Sequence, residues 1–353
     1  MEIEPFALER WFARHEHGNL MLAESGIRSL PASRFDTDPG DLGYVVPTDG
    51  DPTLRARVAD RYGRSADEVC FTCGTQEANF VAFAALMGEH AVVVTPTYQS
   101  LHAVPEAFGE VTRVGLSPPD WTLDPDAVAA AVRPETSVVV LNNPNNPTGR
   151  YHDRATVEAL YDVAADADAY LLCDEVYRLL AADPLPPVAS MGPRGVSTTS
   201  LTKAFGLAGL RFGWLAGPRE VVEAAWRWKD YTTISPSAFG QHVARQALDR
   251  EAEILRENRA LAARNRDRVR QFLDRWGLAW HDPVGVNGFV AVPEPFDTGE
   301  AFCERLVDEE GVVLAPGDYF GHPGYVRVGF GLPADRLATG LSRLDDFLSR
   351  HVA

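Results

Sequence analysis

Lysine is almost missing from this chain of 353 residues. Of its 33 basic residues, 31 are arginines and only Lys203 and Lys229 are lysines. A guanidinium stays protonated and does not act as an amine nucleophile, so chemistry that needs a free amine has two candidates here. Cysteine is also scarce, with four in all. Cys70 and Cys73 form a C-x-x-C, but no second pair follows at metal spacing, and His90 and His102 are not placed like zinc-finger ligands. Incidental core and loop cysteines, and no metal, are the expectation. Positive charge is short as well: the net charge is −17. Nucleic acid and anionic membrane both reward a basic surface, so neither is expected as a partner. Salt adaptation or codon bias would each account for acid excess with few lysines. No apolar run reaches the roughly 18–20 residues that span a bilayer. The first residues, Met1-Glu2-Ile3-Glu4-Pro5-Phe6, carry acids and no apolar stretch of a secretory signal. These absences predict a soluble, cytoplasmic protein.

What is present is ordinary for a large globular core, with 45% hydrophobic residues. The length predicts two domains of roughly 100–200 residues each. Residues 4–12 read as a short amphipathic helix with Pro5 near its start. From residue 69 onward, β-branched runs alternate with helical stretches. Strands are predicted at 69–72, 91–95, 137–142, 170–174, 196–200 and 212–216, with a helix over 153–167 among the intervening ones. Several strands are apolar on consecutive residues, as strands covered on both faces must be. That βαβ rhythm predicts a mainly parallel sheet. After residue 237 one long charged helix is predicted to about Trp276. Strands at 288–292 and 325–329 and a helix over 299–310 then predict a smaller α+β domain. Repeats are absent, and the proline-rich stretch 181–187 reads as a surface loop.

The richest string is Ser200-Leu201-Thr202-Lys203-Ala204-Phe205-Gly206-Leu207-Ala208-Gly209-Leu210-Arg211-Phe212-Gly213. An amine can condense with an aldehyde. A hydroxyl three residues before it and a guanidinium eight after it can hold a phosphate. The cofactor that is both aldehyde and phosphate ester is pyridoxal 5'-phosphate. Three more motifs precede this one. Thr72-Cys73-Gly74-Thr75-Gln76-Glu77-Ala78 ends a strand and opens a helix, whose free amides bind phosphate. Asn142-Asn143-Pro144-Asn145-Asn146-Pro147-Thr148-Gly149 has the residues of tight turns. Asp174-Glu175-Val176-Tyr177 follows the apolar run 170–173. Asp174 suits a helix N-cap there, but a carboxylate at the C-terminal end of a parallel strand also points into the ligand crevice. G-x-G-x-x-G does not occur at either glycine-bearing turn, which disfavours a dinucleotide-binding protein.

Together these motifs resemble the class I/II aminotransferases, fold-type I enzymes of the aspartate aminotransferase superfamily, from about Tyr44 to Arg327. The resemblance implies an α/β fold: a large cofactor domain over 40–245 with helices on both faces of a mainly parallel sheet. A smaller α+β domain would combine 1–39 and 246–353. It implies that Lys203 forms the aldimine with pyridoxal phosphate and, once freed, moves the proton between Cα and the cofactor. Asp174 would pair with the pyridine nitrogen, and Tyr177 and Asn146 would donate to the ring oxygen. Tyr98, after the strand at 91–95, would stack on the ring. Thr75, Gln76, Ser200 and Arg211 would hold the phosphate. Arg327, in a β-branched strand, would take the substrate α-carboxylate, with Asn146 and Gly26 beside it.

The expected activity is transfer of an amino group from an α-amino acid to a 2-oxo acid, in a homodimer with shared active sites. In places the chain departs from the family pattern. The Gly-x-Pro turn common near residue 25 is replaced by Leu22-Ala23-Glu24-Ser25-Gly26-Ile27-Arg28. The interval from Tyr44 to Gly50, in a stretch resembling the segment that reaches a neighbouring subunit's phosphate, is one residue longer than the family pattern. Arg28 is the one candidate receptor for an acidic side chain. The N-terminal stretch resembles the capreomycidine-synthase-like branch, whose members close a ring. A lyase, a decarboxylase or such a cyclase is therefore the alternative on the same scaffold. A non-catalytic regulatory or binding protein is the alternative of another class.

Overall fold

The computed structural model describes residues 3–352. Its first helix, α1, spans Ala7–His15. It starts later than the sequence pattern predicts, because Phe6 is extended and the Ala7 amide is capped instead by Gln99 Oε1 at 2.9 Å. β1 (Leu20–Met21) and α2 (Pro52–Asp60) follow, the latter capped by Asp51 with Pro52 in its first turn. Then the alternation begins: β2 (Val69–Thr72), α3 (Gly74–Leu86), β3 (His90–Thr95), α4 (Ser100–Phe108), β4 (Glu110–Gly115) and α5 (Pro125–Ala131). It continues through β5 (Thr136–Asn142), α6 (Arg154–Asp166), β6 (Tyr170–Asp174), β7 (Gly195–Ser200), β8 (Gly213–Ala216) and α7 (Arg219–Lys229).

Strands β2 to β8 form one sheet in the order β2-β8-β7-β6-β5-β3-β4. Only β8 runs against its neighbours, β2 and β7. The other pairs are parallel. Alternate residues of the central strands enter two separate apolar clusters. Val92, Val139 and Leu171 pack on one side, and Ala91, Val138 and Leu172 on the other. Both faces are therefore covered, which explains the unbroken apolar runs. The sequence pattern missed β4. None of its residues is buried: Glu110, Arg113 and Gly115 are exposed and Val111, Thr112 and Val114 half-buried, as befits an edge strand.

The predicted long helix is two, α8 (Ala238–Asp249) and α9 (Glu251–Trp276). Arg250 breaks it at φ −105°, ψ 17°, where its guanidinium turns back to the Arg34 carbonyl at 2.7 Å and to Glu253. β9 (Asn287–Ala291), α10 (Gly299–Glu310), β10 (Val312–Val313), β11 (Ala315–Pro316), β12 (Tyr325–Gly329) and α11 (Ala334–His351) complete the chain. β12 lies between β11 and β9, antiparallel to both, and β10 pairs with β1. Among the described residues, no helix is long and apolar enough to cross a membrane.

Candidate active site

One edge of the seven-stranded sheet carries the site. β2, β3, β5, β6 and β7 all end there, and β8 begins there. A cavity of about 430 Å³ opens at this edge. Thr75, Gln76, Tyr98, Asn146, Asp174, Tyr177, Ser200, Lys203, Arg211, Arg327 and Gly26 all line it. These eleven residues picked from sequence thus come to one place, from segments up to 301 positions apart.

Lys203 reaches the cavity from the turn after β7. Its Nζ donates to Ser25 Oγ at 2.9 Å. Burial lowers the amine to about 8, with Arg327 lowering it further and Glu9, Glu24 and Asp174 opposing. An amine poised there is neutral often enough to act as base or nucleophile near neutral pH. Asp174, 5% exposed, ends β6. Its Oδ1 accepts the Val176 amide at 3.1 Å, and its Oδ2 accepts Asn79 Nδ2 at 2.9 Å. No helix starts at Asp174, so it is no N-cap: the bond to Val176 closes a local turn, and the next helical turn begins only at Arg178. Burial raises its carboxyl to about 6, against the pull of those bonds and of Lys203. Such a group gains from a cationic partner in the cavity. Burial likewise pushes the Tyr177 hydroxyl up to about 12, while Arg327 and Ser25 draw it down.

The phosphate-sized corner is made at the start of α3. Gly74 has φ +79°, and a Cβ there would lie 2.7 Å from Arg211 Nη2. A Cβ on Gly213 would meet Gly74 and the Thr199 carbonyl at 2.7 Å. Two glycines therefore let strand, turn and guanidinium close on one point. Arg211 is itself left-handed at φ 53°, a conformation costing a non-glycine residue about 1 kcal/mol. Its Nη2 donates to the Cys73 carbonyl at 3.1 Å. The Thr75 hydroxyl is buried without a partner among the described residues, and Ser200 Oγ accepts only a long 3.3 Å bond from Thr202. Unspent donors, helix amides and a guanidinium at one point fit a phosphate ester.

Across the cavity stands Arg327, 1% exposed, from the middle of β12. Its Nη1 donates to Asn146 Oδ1 at 2.8 Å and its Nη2 to the Ala23 carbonyl at 2.7 Å. Because arginine only donates, Asn146 must present its oxygen there and keep its Nδ2 as a donor. Arg327 Nε has no partner, and each Nη retains one N–H. A buried cation with unspent donors calls for a carboxylate. Tyr98 donates to Glu9 Oε1 at 2.7 Å, and Gly26 lies against the stem of Lys203.

Two expectations need correcting or setting apart. Arg28 is absent from the cavity wall and turns to Glu257 at 3.5 Å, so it is no receptor for an acidic side chain. Tyr44 is 100% exposed and touches none of the site. Sequence reasoning also missed four residues. Asn79 holds Asp174 and accepts from Thr198 Oγ1 at 2.5 Å. It lies one helical turn after Thr75, so helical spacing could have found it. Ser25, Glu9 and Glu24 also line the cavity. Nothing local marks them. All four cysteines are free, and no cluster of metal-ligating side chains occurs among the described residues.

Known proteins are similar to this chain in sequence and fold. The family model described as aminotransferase class I and II matches residues 24–344. A capreomycidine synthase from Streptomyces vinaceus is 34% identical, over 98% of this chain and 94% of its own length. An aspartate/prephenate aminotransferase from Thermus thermophilus is 30% identical over 90% of this chain and 86% of its own. The crystal structure of a pyridoxal-phosphate-dependent aminotransferase from Streptococcus suis superposes with a TM-score of 0.94 at 30% identity, covering both chains fully. The chain belongs to the class I and II aminotransferases of the pyridoxal-phosphate-dependent fold-type I superfamily.

Proposed function

We propose that the protein moves the amino group of an α-amino acid to a 2-oxo acid, using pyridoxal 5'-phosphate. The observation that carries this reading is the convergence of Lys203, Asp174, the α3 turn and Arg327 on one cavity. The bound cofactor would supply the electron sink for bond breaking at Cα. Thr75, Gln76, Ser200 and Arg211 would hold its phosphate, and Tyr98 would cover one face of its ring. Asp174 would hold the proton on the ring nitrogen. Asn146 Nδ2 and the Tyr177 hydroxyl would donate to the ring oxygen. Lys203 would hold the aldehyde carbon and, when released, carry the proton from the substrate Cα. Arg327 would fix the α-carboxylate, with Asn146 and Gly26 at its side. An acidic side chain would meet Glu9 and Glu24, and no guanidinium besides Arg327 and the phosphate-holding Arg211 lines the cavity, so donors with neutral or basic side chains fit better.

The division into a large domain over 40–245 and a smaller one from 1–39 and 246–353 is part of this proposal. So is a homodimer. Leu42, Tyr44 and Val46 are exposed beside a segment that is tied to α8 by Asp51 and Gln241. Tyr231 and Ile234, just before α8, are exposed too. A second copy would cover these apolar side chains, and Tyr44 would reach its phosphate. Four free cysteines suit the reducing cytoplasm.

A second reading is favoured by the similarity to capreomycidine synthase: the same site would close a ring instead of passing on the amino group. One experiment separates the two. Purified protein with pyridoxal phosphate is given a panel of amino acids, with and without a 2-oxo acid. Transamination predicts a bound-cofactor absorbance band and one donor converted per acceptor consumed. A cyclic product formed without any acceptor would overturn it in favour of the cyclase. No cofactor band would overturn both.

A further inference from the structure

The second lysine has no part in the site described above. Lys229 ends α7 and is 0% exposed. An ammonium is withdrawn from water only at considerable cost unless it is paired. Its Nζ reaches Glu77 Oε2 at 3.5 Å, bonds to Thr233 Oγ1 and lies 5.8 Å from the Trp226 ring centre. Glu77 lies in the first turn of α3, the helix that opens at the phosphate corner. Its Oε2 accepts the Cys73 amide at 2.6 Å. Its Oε1 accepts Thr232 Oγ1 at 2.5 Å and Thr233 Oγ1 at 2.7 Å. Burial works against its charge, yet the Cys73 amide, the two threonines and Lys229 hold it below the ordinary carboxylate value.

Cys73 is thus gripped from both sides. Its N–H goes to Glu77 and its carbonyl takes Arg211 Nη2. The residues that follow it, Gly74, Thr75 and Gln76, form the anion-binding turn. A carboxylate so close to a bound dianion has a drawback, because like charges repel across a poorly screened interior. Lys229 removes it.

We infer that Glu77 and Lys229 are positioning residues for the cofactor phosphate: Glu77 clamps Cys73 at the head of the turn, and Lys229 cancels the charge of that clamp. This rests on the proposed cofactor. Neither residue touches the cofactor; both act through Cys73. The account predicts that Lys229→Met lowers the preference for the phosphate ester and that Glu77→Gln does not, whereas a merely structural role predicts no such split.

The test titrates the cofactor-free, full-length protein with pyridoxal 5'-phosphate and with pyridoxal, which has the aldehyde but no phosphate. Lys229→Met leaves the carboxylate uncompensated and should weaken binding of the phosphate ester by about tenfold or more. Pyridoxal binding should stay within about twofold of the parent, because that ligand carries no phosphate charge. Glu77→Gln keeps an acceptor for the Cys73 amide and removes the charge, so the preference for the ester should be equal to the parent's or larger. Lys229→Arg, which keeps the charge, should retain the preference. Equal losses for both ligands, or no loss, in Lys229→Met would overturn the inference. So would a reduced preference in Glu77→Gln, which decides the matter alone if Lys229→Met does not fold. A parent protein that binds neither aldehyde would instead defeat the cofactor reading itself.

Discussion

The two walls of the cavity are built differently. On the sheet side, Asp174, Asn79 and Thr198 form a buried hydrogen-bonded chain, and Asn142 locks the Asn146 amide at 2.6 Å and the Asp174 carbonyl at 2.9 Å. Each of these residues is rooted in a parallel strand, its end or the helix beside it. On the opposite side, Glu9, Glu24, Ser25 and Gly26 come from a segment whose only strand is two residues long. Glu9 and Glu24 are exposed, and neither has an ion-pair partner among the described residues. On the proposed function, the sheet side would fix what the bound ring can do, and the other side would choose which amino acid meets it.

Substitutions should break this contrast in a definite order. Lys203→Ala should abolish turnover, yet leave the phosphate corner able to bind the cofactor. Borohydride reduction and peptide mapping should place a pyridoxyl label on Lys203 in the parent. A label on Lys229 would sink the assignment. Asp174→Ala should cost about 4 kcal/mol of barrier, roughly a thousandfold in kcat, since a ring nitrogen without its partner does not stay protonated. Near-normal kcat would contradict the pairing.

Arg327→Ala should lower kcat/KM for amino acids by about 3 kcal/mol, on the order of a hundredfold, through loss of a charged bidentate contact. A simple amine should suffer much less. Equal losses for both donors would make Arg327 structural. Arg28→Ala, on the outer side of the same wall, should change neither, and a selective loss of acidic donors would restore it as a receptor.

The smallest effect concerns pH. In the cofactor-free chain Asp174 keeps its proton up to about pH 6, against an ordinary value of 3.8. Between those values the folded chain binds more protons than the unfolded one, so stability falls as pH rises. Glu175, raised by burial to about 7, adds to this slope. Asp174→Asn should flatten part of it in melting temperatures taken from about pH 4 to 7. An unchanged slope would place the titrating group elsewhere.

Most of the sheet side was legible in the sequence. β3, β5 and β6 announce themselves because strands covered on both faces must be apolar throughout. Lys203, Asp174 and Asn146 stand at strand ends, where local turn chemistry marks them. β4 was lost because its edge position lets polar residues in. The break at Arg250 was lost because both sides are good helix formers, and the bond to the Arg34 carbonyl comes from 216 positions away. On the other wall, the direction of a side chain is decided by tertiary partners. Arg28 stood near the substrate in sequence, but Glu257 on α9 draws it outward. Ser25 gave no local sign that its hydroxyl would meet a lysine 178 positions later.

The scarcity of lysine has a consequence for any aldehyde that meets this protein. Of its two side-chain amines, Lys229 is sealed inside and Lys203 is reached through the cavity. A reactive carbonyl therefore finds almost no decoy on the exterior. Excess cofactor should load one equivalent per chain instead of decorating the surface, reducing sugars should glycate the folded protein poorly, and glutaraldehyde should fail to stitch neighbouring copies together through lysine.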